Sequence, residues 1–261
     1  MPHSIVTREA WTTARIALLA KEKALTRQRD ALAAERRALP WVKIDKPYKF
    51  DTPFGQVGLA ELFAGRSQLV IKHFMLAPGQ VEGCVGCSFE MDHLEGALTH
   101  LNAHDVSLVA VARAPLAEIE AFKARMGWRA PWVSSFGSDF NYDFNVSFTP
   151  AQMAEETAEY NYARGPVPIE DLSGFSIFYK NESGDIFHSY SSFGRGAEEV
   201  LGTYMILDMT PNGRNEQGPR FNLTDWVRHH DRYGAAGRVD DTGRWQAASN
   251  GAAEPACPAC K

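Results

Sequence analysis

Two cysteines three positions apart, in the run Glu82-Gly83-Cys84-Val85-Gly86-Cys87, are the residues best suited to do chemistry. A pair at this spacing on the first turn of a helix closes into a disulfide with little backbone movement. The N-terminus of a helix carries partial positive charge and free N–H groups, and both stabilise a thiolate. Geometry then assigns the roles. Cys84, nearer the loop, is the expected nucleophile. Cys87, one turn further in, is expected to resolve the mixed disulfide. Glu82 works against this by placing a negative charge beside the thiolate.

Other readings of the same residues stay open. Two inert core cysteines fit the spacing, because free cysteine packs as a small apolar side chain. Half of a zinc site fits as well. A second pair, Cys257-Pro258-Ala259-Cys260, would complete a four-thiolate zinc site. That pair is also readable as a second dithiol able to reduce the first, or as part of a passive tail. His93, His100 and His104 recur at i, i+7 and i+11. With Cys84 and Cys87 they offer a metal alternative, while the plainer reading is the polar edge of a helix. His229-His230 reads as a solvated helix end.

The elements that must position the cysteines follow from hydrophobic pattern. Ser67 to Leu76 is a buried strand. A loop from Ala77 to Gly83 leads into the first pair, and a helix runs on to about His104 with Met91, Leu94, Leu98 and Leu101 on one face. Val106 to Ala112 is a second buried strand. Pro115 opens another helix that Gly127 stops. Phe175 to Tyr179 and Ile186 to Tyr190 form a hairpin, and Ala197 to Leu207 a final helix. Strand, helix, strand, helix, hairpin, helix is the order of a thioredoxin-like domain, which places its active site at the helix start after the first core strand.

Around this core the composition changes. Residues from about Ser4 to Leu39 read as one helix ended by Pro40, with Trp11, Leu18, Leu25 and Leu32 among many charges. Residues Asp45 to Gly58 read as a turn-rich entry. Seven aromatics fall between Trp128 and Phe148, and Thr149-Pro150 opens a helical stretch to about Tyr160. Arg238 to Lys261, rich in Ala, Gly and Pro, reads as a loose tail. The expected layout is a helical arm (1–40), a thioredoxin-like domain (41–235) with an aromatic-rich insertion at about 128–172, and a flexible tail (236–261).

Specific stretches carry a family resemblance. They include Ala38-Leu39-Pro40-Trp41-Val42, Glu82 to Phe89, Ala112-Arg113-Ala114-Pro115-Leu116, Pro131-Trp132-Val133-Ser134-Ser135, Gly137 to Phe144 and Trp226-Val227-Arg228-His229-His230-Asp231. With these the chain resembles the bacterial thioredoxin-like family catalogued as domain of unknown function eight-nine-nine. The resemblance implies a mixed sheet flanked by helices and a dithiol–disulfide oxidoreductase, with a role for Cys84 and Cys87 alone. The departures from thioredoxins are specific. Gly83 stands where they carry Trp, Val85-Gly86 where they carry Gly-Pro, and Ser173-Gly174 where they place a cis-proline. Peroxiredoxins place Thr or Ser three residues before the reactive cysteine, and here that position is Val81.

The chain has 261 residues, 44% of them hydrophobic and 23% charged, with 27 basic and 32 acidic side chains and a net charge of −5. Such a composition argues for a globular domain and against nucleic acid or anionic membrane as partner. No apolar run approaches the roughly 20 residues of a membrane span, and no secretory signal is visible at the start. The expectation is a cytoplasmic enzyme without a cofactor, acting on a disulfide-bearing protein or small molecule. The long helix would offer a homodimer contact. A thiol peroxidase is the enzymatic alternative, and a metal-binding or interaction module with Cys84 and Cys87 as ligands is the alternative of another class.

Overall fold

Thirty residues free of glycine and proline, Arg8–Arg37, form helix α1. Thr7 caps it, its Oγ1 accepting the Ala10 N–H at 3.3 Å, and Arg36 and Arg37 lie in the last turn against the negative end of the dipole. None of its residues is buried. This computed structural model describes residues 3–218 and 222–248. The chain divides into two compact units, Met1–Trp41, which holds α1, and Val42–Lys261.

The second unit begins with strand β1 (Val42–Lys43) and the hairpin β2 (Lys49–Thr52) and β3 (Gly55–Gly58). The buried strand follows as β4 (Gln68–His73), then helix α2 (Val85–Ala103), β5 (Val106–Ala112), α3 (Leu116–Met126) and β6 (Trp132–Ser134). Two short helices, α4 (Phe140–Asp143) and α5 (Pro150–Ala154), precede the small hairpin β7 (Ala158–Tyr160) and β8 (Ala163–Gly165). The long hairpin is β9 (Gly174–Lys180) and β10 (Ile186–Phe193). Helix α6 (Gly202–Leu207) and a last hairpin, β11 (Gly237–Val239) and β12 (Trp245–Ala247), complete the unit.

Eight strands share one sheet in the order β1-β10-β9-β4-β5-β6-β2-β3. β4, β5 and β6 run parallel, and β9 lies antiparallel to β4. The helix carrying the cysteines thus leaves the end of a central strand, flanked by a parallel neighbour and by the returning hairpin. This is the thioredoxin-like arrangement expected from the order of elements. Alternation in β4 and β5 sorts two cores. Leu108, Ala110 and Ala112 pack with Met91 and Leu94 of α2 and with Ile119 and Phe122 of α3. On the other face Leu69, Ile71, Val109 and Val111 pack with Phe63, Phe140, Phe144 and Phe178.

Four local expectations are corrected. The turn-rich entry is the hairpin β2–β3, which joins the sheet through the bridge of Asp51 to Ser134. The helical stretch from Thr149 stops at Ala154, because Glu156 takes a positive φ and Asn161 and Tyr162 form a left-handed turn between β7 and β8. The final helix breaks at Leu201 into a 3₁₀ segment, Gly194–Val200, and α6. There the Thr203 N–H donates to His93 Nε2 at 3.0 Å, a partner from outside the helix. Residues 237–247, read as part of a loose tail, form the β11–β12 hairpin. Its turn is held by the Asp240 carboxylate, which accepts from the Thr242 and Arg244 N–H groups at 2.9 and 3.0 Å.

Candidate active site

Cys84 is the residue immediately before α2, and Cys87 is its third residue. Gly83 is required there by close approach. A Cβ on it would meet the Phe74 ring at 2.3 Å. The Cys84 N–H donates to the Met75 carbonyl at 3.1 Å, and the Cys84 carbonyl accepts from the N–H and the Oγ of Ser88 at 3.0 and 2.9 Å. The first turn of α2 is therefore fixed at both ends of the pair. Cys84 is half-buried and Cys87 is 1% exposed, and both are free thiols.

The two sulfurs are driven apart in acidity. The Cys87 thiol donates a hydrogen bond to Cys84, and the N–H groups of Cys87 and Gly86 donate as well. Burial and the Glu90 carboxylate push the other way, and the Cys84 thiol settles at about 7. Cys87 lies well above the ordinary thiol value, because it is buried and because it is the donor to Cys84. At neutral pH the pair is thus one thiolate, on the accessible sulfur, and one thiol beneath it.

Below Cys87 lies a charge pair the sequence reading did not single out. Lys72, the penultimate residue of β4, is fully buried and forms an ion pair with Glu90 of α2, which is 6% exposed. The Lys72 Nζ also donates to Ser173 Oγ at 3.3 Å and lies 4.8 Å from the Phe175 ring centre. Burial pushes the Lys72 ammonium down, but a Cys87 thiolate, where it forms, and the Glu90 carboxylate hold it up at about 12. Lys72 in turn lowers the energy of a Cys87 thiolate. Two signals were available: a lysine inside an apolar strand, and a glutamate three residues after Cys87 on the same helix face.

The C-terminal part of the unit covers the start of α2. Leu223, Trp226, Val227, Val239 and Trp245 pack with Val85, Phe89, Leu201 and Tyr204. The Val85 N–H donates to the Gly243 carbonyl at 2.9 Å. Gly243, at φ +78°, lies against the Cys84 sulfur. His229, read as part of a solvated helix end, is fully buried in an irregular segment. Its Nε2–H donates to the Gly83 carbonyl at 2.9 Å, and its Nδ1 accepts from Arg125 at 3.0 Å. The charge of Glu82 is met by Arg125 at 2.6 Å and Arg232 at 2.8 Å, so the carboxylate expected to oppose the thiolate is itself neutralised.

The structure does not bring the remaining candidates together. His93 clamps α2 to α6, with Nδ1 on the Phe89 carbonyl at 2.6 Å and Nε2 on Thr203. His230 pairs with Asp92 at 2.8 Å. Among the described residues no group of three or more His, Cys, Asp or Glu side chains is placed to hold a metal ion. The pair Cys257 and Cys260 lies outside the described residues. Among those residues no helix is long and apolar enough to cross a membrane.

A thioredoxin-like sheet with a CxxC pair where α2 begins defines the class of this domain. Over residues 1–233 the chain matches, and belongs to, the family described as bacterial protein of unknown function (DUF899). None of the curated proteins matches it. Among solved structures it is similar to peroxiredoxin Q of Xanthomonas campestris, at 14% identity and TM-score 0.39, over 61% of this chain and 87% of that one. It is similar also to a peroxidoxin from Mycobacterium tuberculosis, at 15% identity and TM-score 0.36, over 63% and 95%. A reduced two-cysteine peroxiredoxin of Plasmodium vivax aligns at 16% identity and TM-score 0.37, over 62% and 89%.

Proposed function

We propose that this protein is a thiol redox enzyme, a dithiol–disulfide oxidoreductase in which Cys84 attacks and Cys87 resolves. The observation that carries the reading is the placement of the pair at the start of α2, with Cys84 half-buried and Cys87 buried beneath it as its hydrogen-bond donor, an arrangement that lowers the Cys84 thiol and raises that of Cys87. The Cys84 thiolate attacks one sulfur of a substrate disulfide, the S–S bond breaks, and one substrate thiolate leaves. Cys87 then loses its proton, with the Lys72 ammonium stabilising the charge. Its sulfur attacks Cys84 Sγ, and the second substrate thiolate leaves. Two electrons pass to the substrate and the Cys84–Cys87 disulfide remains.

The covering of Cys84 by Gly243 favours a second reading of the same centre, with a peroxide as the oxidant. The thiolate would attack one peroxide oxygen and release an alcohol or water. The resulting sulfenic acid would condense with Cys87 to the same disulfide, releasing water. A small oxidant reaches a half-buried sulfur where a folded protein disulfide is obstructed. One experiment separates the two. Reduced protein is mixed with a small disulfide or with hydrogen peroxide, and disulfide formation is followed by thiol titration in the parent, Cys84→Ser and Cys87→Ser chains. Loss of two thiols with either oxidant, abolished by Cys84→Ser, supports the redox reading, and the faster oxidant assigns the substrate class. Zinc at about one per chain, with thiols masked until chelation, would overturn it in favour of a metal module.

A further inference from the structure

We propose that His229 is a positioning residue for Cys84, holding through the Gly83 carbonyl the peptide that sets the sulfur against Cys87. The proposal rests on the redox reading above and names a residue of the same site. Its first support is one peptide unit. The carbonyl of the Gly83–Cys84 peptide accepts from His229 Nε2–H at 2.9 Å, and the N–H of the same peptide donates to the Met75 carbonyl at 3.1 Å. One end is tied to the C-terminal segment and the other to the chain leaving β4. A peptide plane held at both ends resists rotation about its two flanking bonds. Gly83 has no side chain to do this work, since a Cβ there would meet the Phe74 ring at 2.3 Å. The freedom that glycine brings is what the histidine removes. The Cys84 sulfur depends on that restraint, because the Cys87 thiol and the N–H groups of Gly86 and Cys87 donate to it from fixed places.

The second support is the proton that makes the bond. The Arg125 guanidinium donates to His229 Nδ1 at 3.0 Å, and an arginine has donors only. Nδ1 is therefore the acceptor, and the hydrogen lies on Nε2, toward Gly83. Arg125 is itself oriented by Asp231 at 3.0 Å and Glu82 at 2.6 Å. The carboxylates of Glu82 and Asp231 favour a second proton on the ring. Burial, as the first cause, and the Arg125 charge oppose it and hold the imidazole below its ordinary value. The ring is fully buried, 5.4 Å from that of Phe122 between centres.

The third support is the neighbouring residue. His230 pairs with Asp92 of α2 at 2.8 Å, and Asp92 also accepts from Trp128 Nε1 at 2.8 Å. Two consecutive histidines of the Trp226 to Asp231 stretch thus hold the loop before the cysteine pair and the helix after it.

The test begins with the parent chain. Nitrogen-15 NMR at pH 7 should show His229 as the neutral Nε2–H tautomer. An Nδ1–H tautomer cannot donate to Gly83 and overturns the assignment. Variants follow, each checked for folding by near-ultraviolet circular dichroism. His229→Leu removes both bonds, and His229→Met does so with a more adaptable side chain should leucine not fold. His229→Gln keeps one donor and one acceptor. In the folded leucine or methionine variant, the pH midpoint of Cys84 alkylation should rise by about one pH unit, the preference for thiolate that about one hydrogen bond supplies. The mixed disulfide formed with a small disulfide should resolve about tenfold more slowly, because Cys87 no longer faces a fixed sulfur. His229→Gln should restore both. A folded leucine or methionine variant with the parent's midpoint and resolution rate overturns the assignment, as does a folded glutamine variant displaced as far as the leucine one. A parent chain that forms no Cys84–Cys87 disulfide overturns the redox reading itself, while the tautomer and the alkylation midpoint still decide whether His229 holds Cys84 in place.

Discussion

Gly243 and Cys84, 159 positions apart in the chain, are in contact: a Cβ built on Gly243 would stand 3.2 Å from the Cys84 sulfur. The residue is glycine for two reasons at once, the crowding and a φ of +78° that side chains rarely adopt. Gly243→Ala should therefore cost about 1–2 kcal/mol from the backbone alone. The added methyl must also displace the turn away from the sulfur. The expected outcome is a lower melting temperature together with faster alkylation of Cys84 at pH 7. Slower alkylation in a fully folded variant would mean that the hairpin does not restrict access.

The reactivity of the two thiols should separate with pH. Alkylation of Cys84 by iodoacetamide is expected to follow a single ionisation with a midpoint at about pH 7, while Cys87 stays unreactive throughout. The same shift acts on stability. Between about pH 7 and 9 the folded reduced chain has lost the Cys84 proton while the unfolded chain still holds it, so unfolding free energy rises with pH in that window. As pH falls through about 7 the contribution disappears. Urea titrations of reduced protein at pH 6.5 and 8.5 should show the gain, and Cys84→Ser should remove it.

Two buried histidines and a half-buried one carry the same slope to lower pH. His73, His188 and His229 are all held below the ordinary imidazole value, and burial is the first cause in each; His73 falls to about 3. His73 and His188 end a hydrogen-bonded chain across β4, β9 and β10. His73 Nε2 meets Ser176 Oγ at 2.8 Å, Ser176 meets Ser191 at 2.8 Å, and Ser191 meets His188 Nε2 at 2.7 Å. Below about pH 6.5 the unfolded chain binds protons that the folded chain refuses, so stability falls as pH drops. Urea unfolding at pH 7 and pH 5 measures the slope. His73→Gln should make it shallower by close to one proton, and an unchanged slope would place the titration elsewhere.

Most of the scaffold was legible because its elements carry strong local signals. An apolar run of strand length gave β4, Pro115 and Gly127 bracketed α3, and the Asn181 to Asp185 turn marked the hairpin of β9 and β10. The position of Cys84 and Cys87 at the start of α2 followed from the same signals. What stayed illegible depends on partners distant in sequence. Trp132-Val133-Ser134 is too short to read as a strand until β5 pairs with it, and Lys49 to Gly58 pairs only with β6 and itself. Composition made residues 237–247 look loose, yet Val239 and Trp245 bury themselves on α2. The Glu82 charge was visible, but not the two arginines from α3 and the C-terminal segment that meet it.

The buried Lys72–Glu90 pair offers the sharpest test of how the fold serves the resolving cysteine. Removing one charge, as in Lys72→Met, leaves Glu90 buried without its partner and should cost about 3–5 kcal/mol. Removing both, as in Lys72→Met/Glu90→Leu, exchanges an ion pair for apolar packing and should return most of that stability. Stability and chemistry then come apart. The double variant still lacks the ammonium that favours a Cys87 thiolate. Its Cys84 should attack a small disulfide at close to the parent rate, while the mixed disulfide persists longer before Cys87 resolves it. Quenched-flow mass spectrometry reads both steps. A double variant that is stable and resolves as fast as the parent would reduce the pair to a structural role. Accumulation of the mixed disulfide in a folded chain would tie Lys72 to the second step of the reaction, where the proton must leave Cys87.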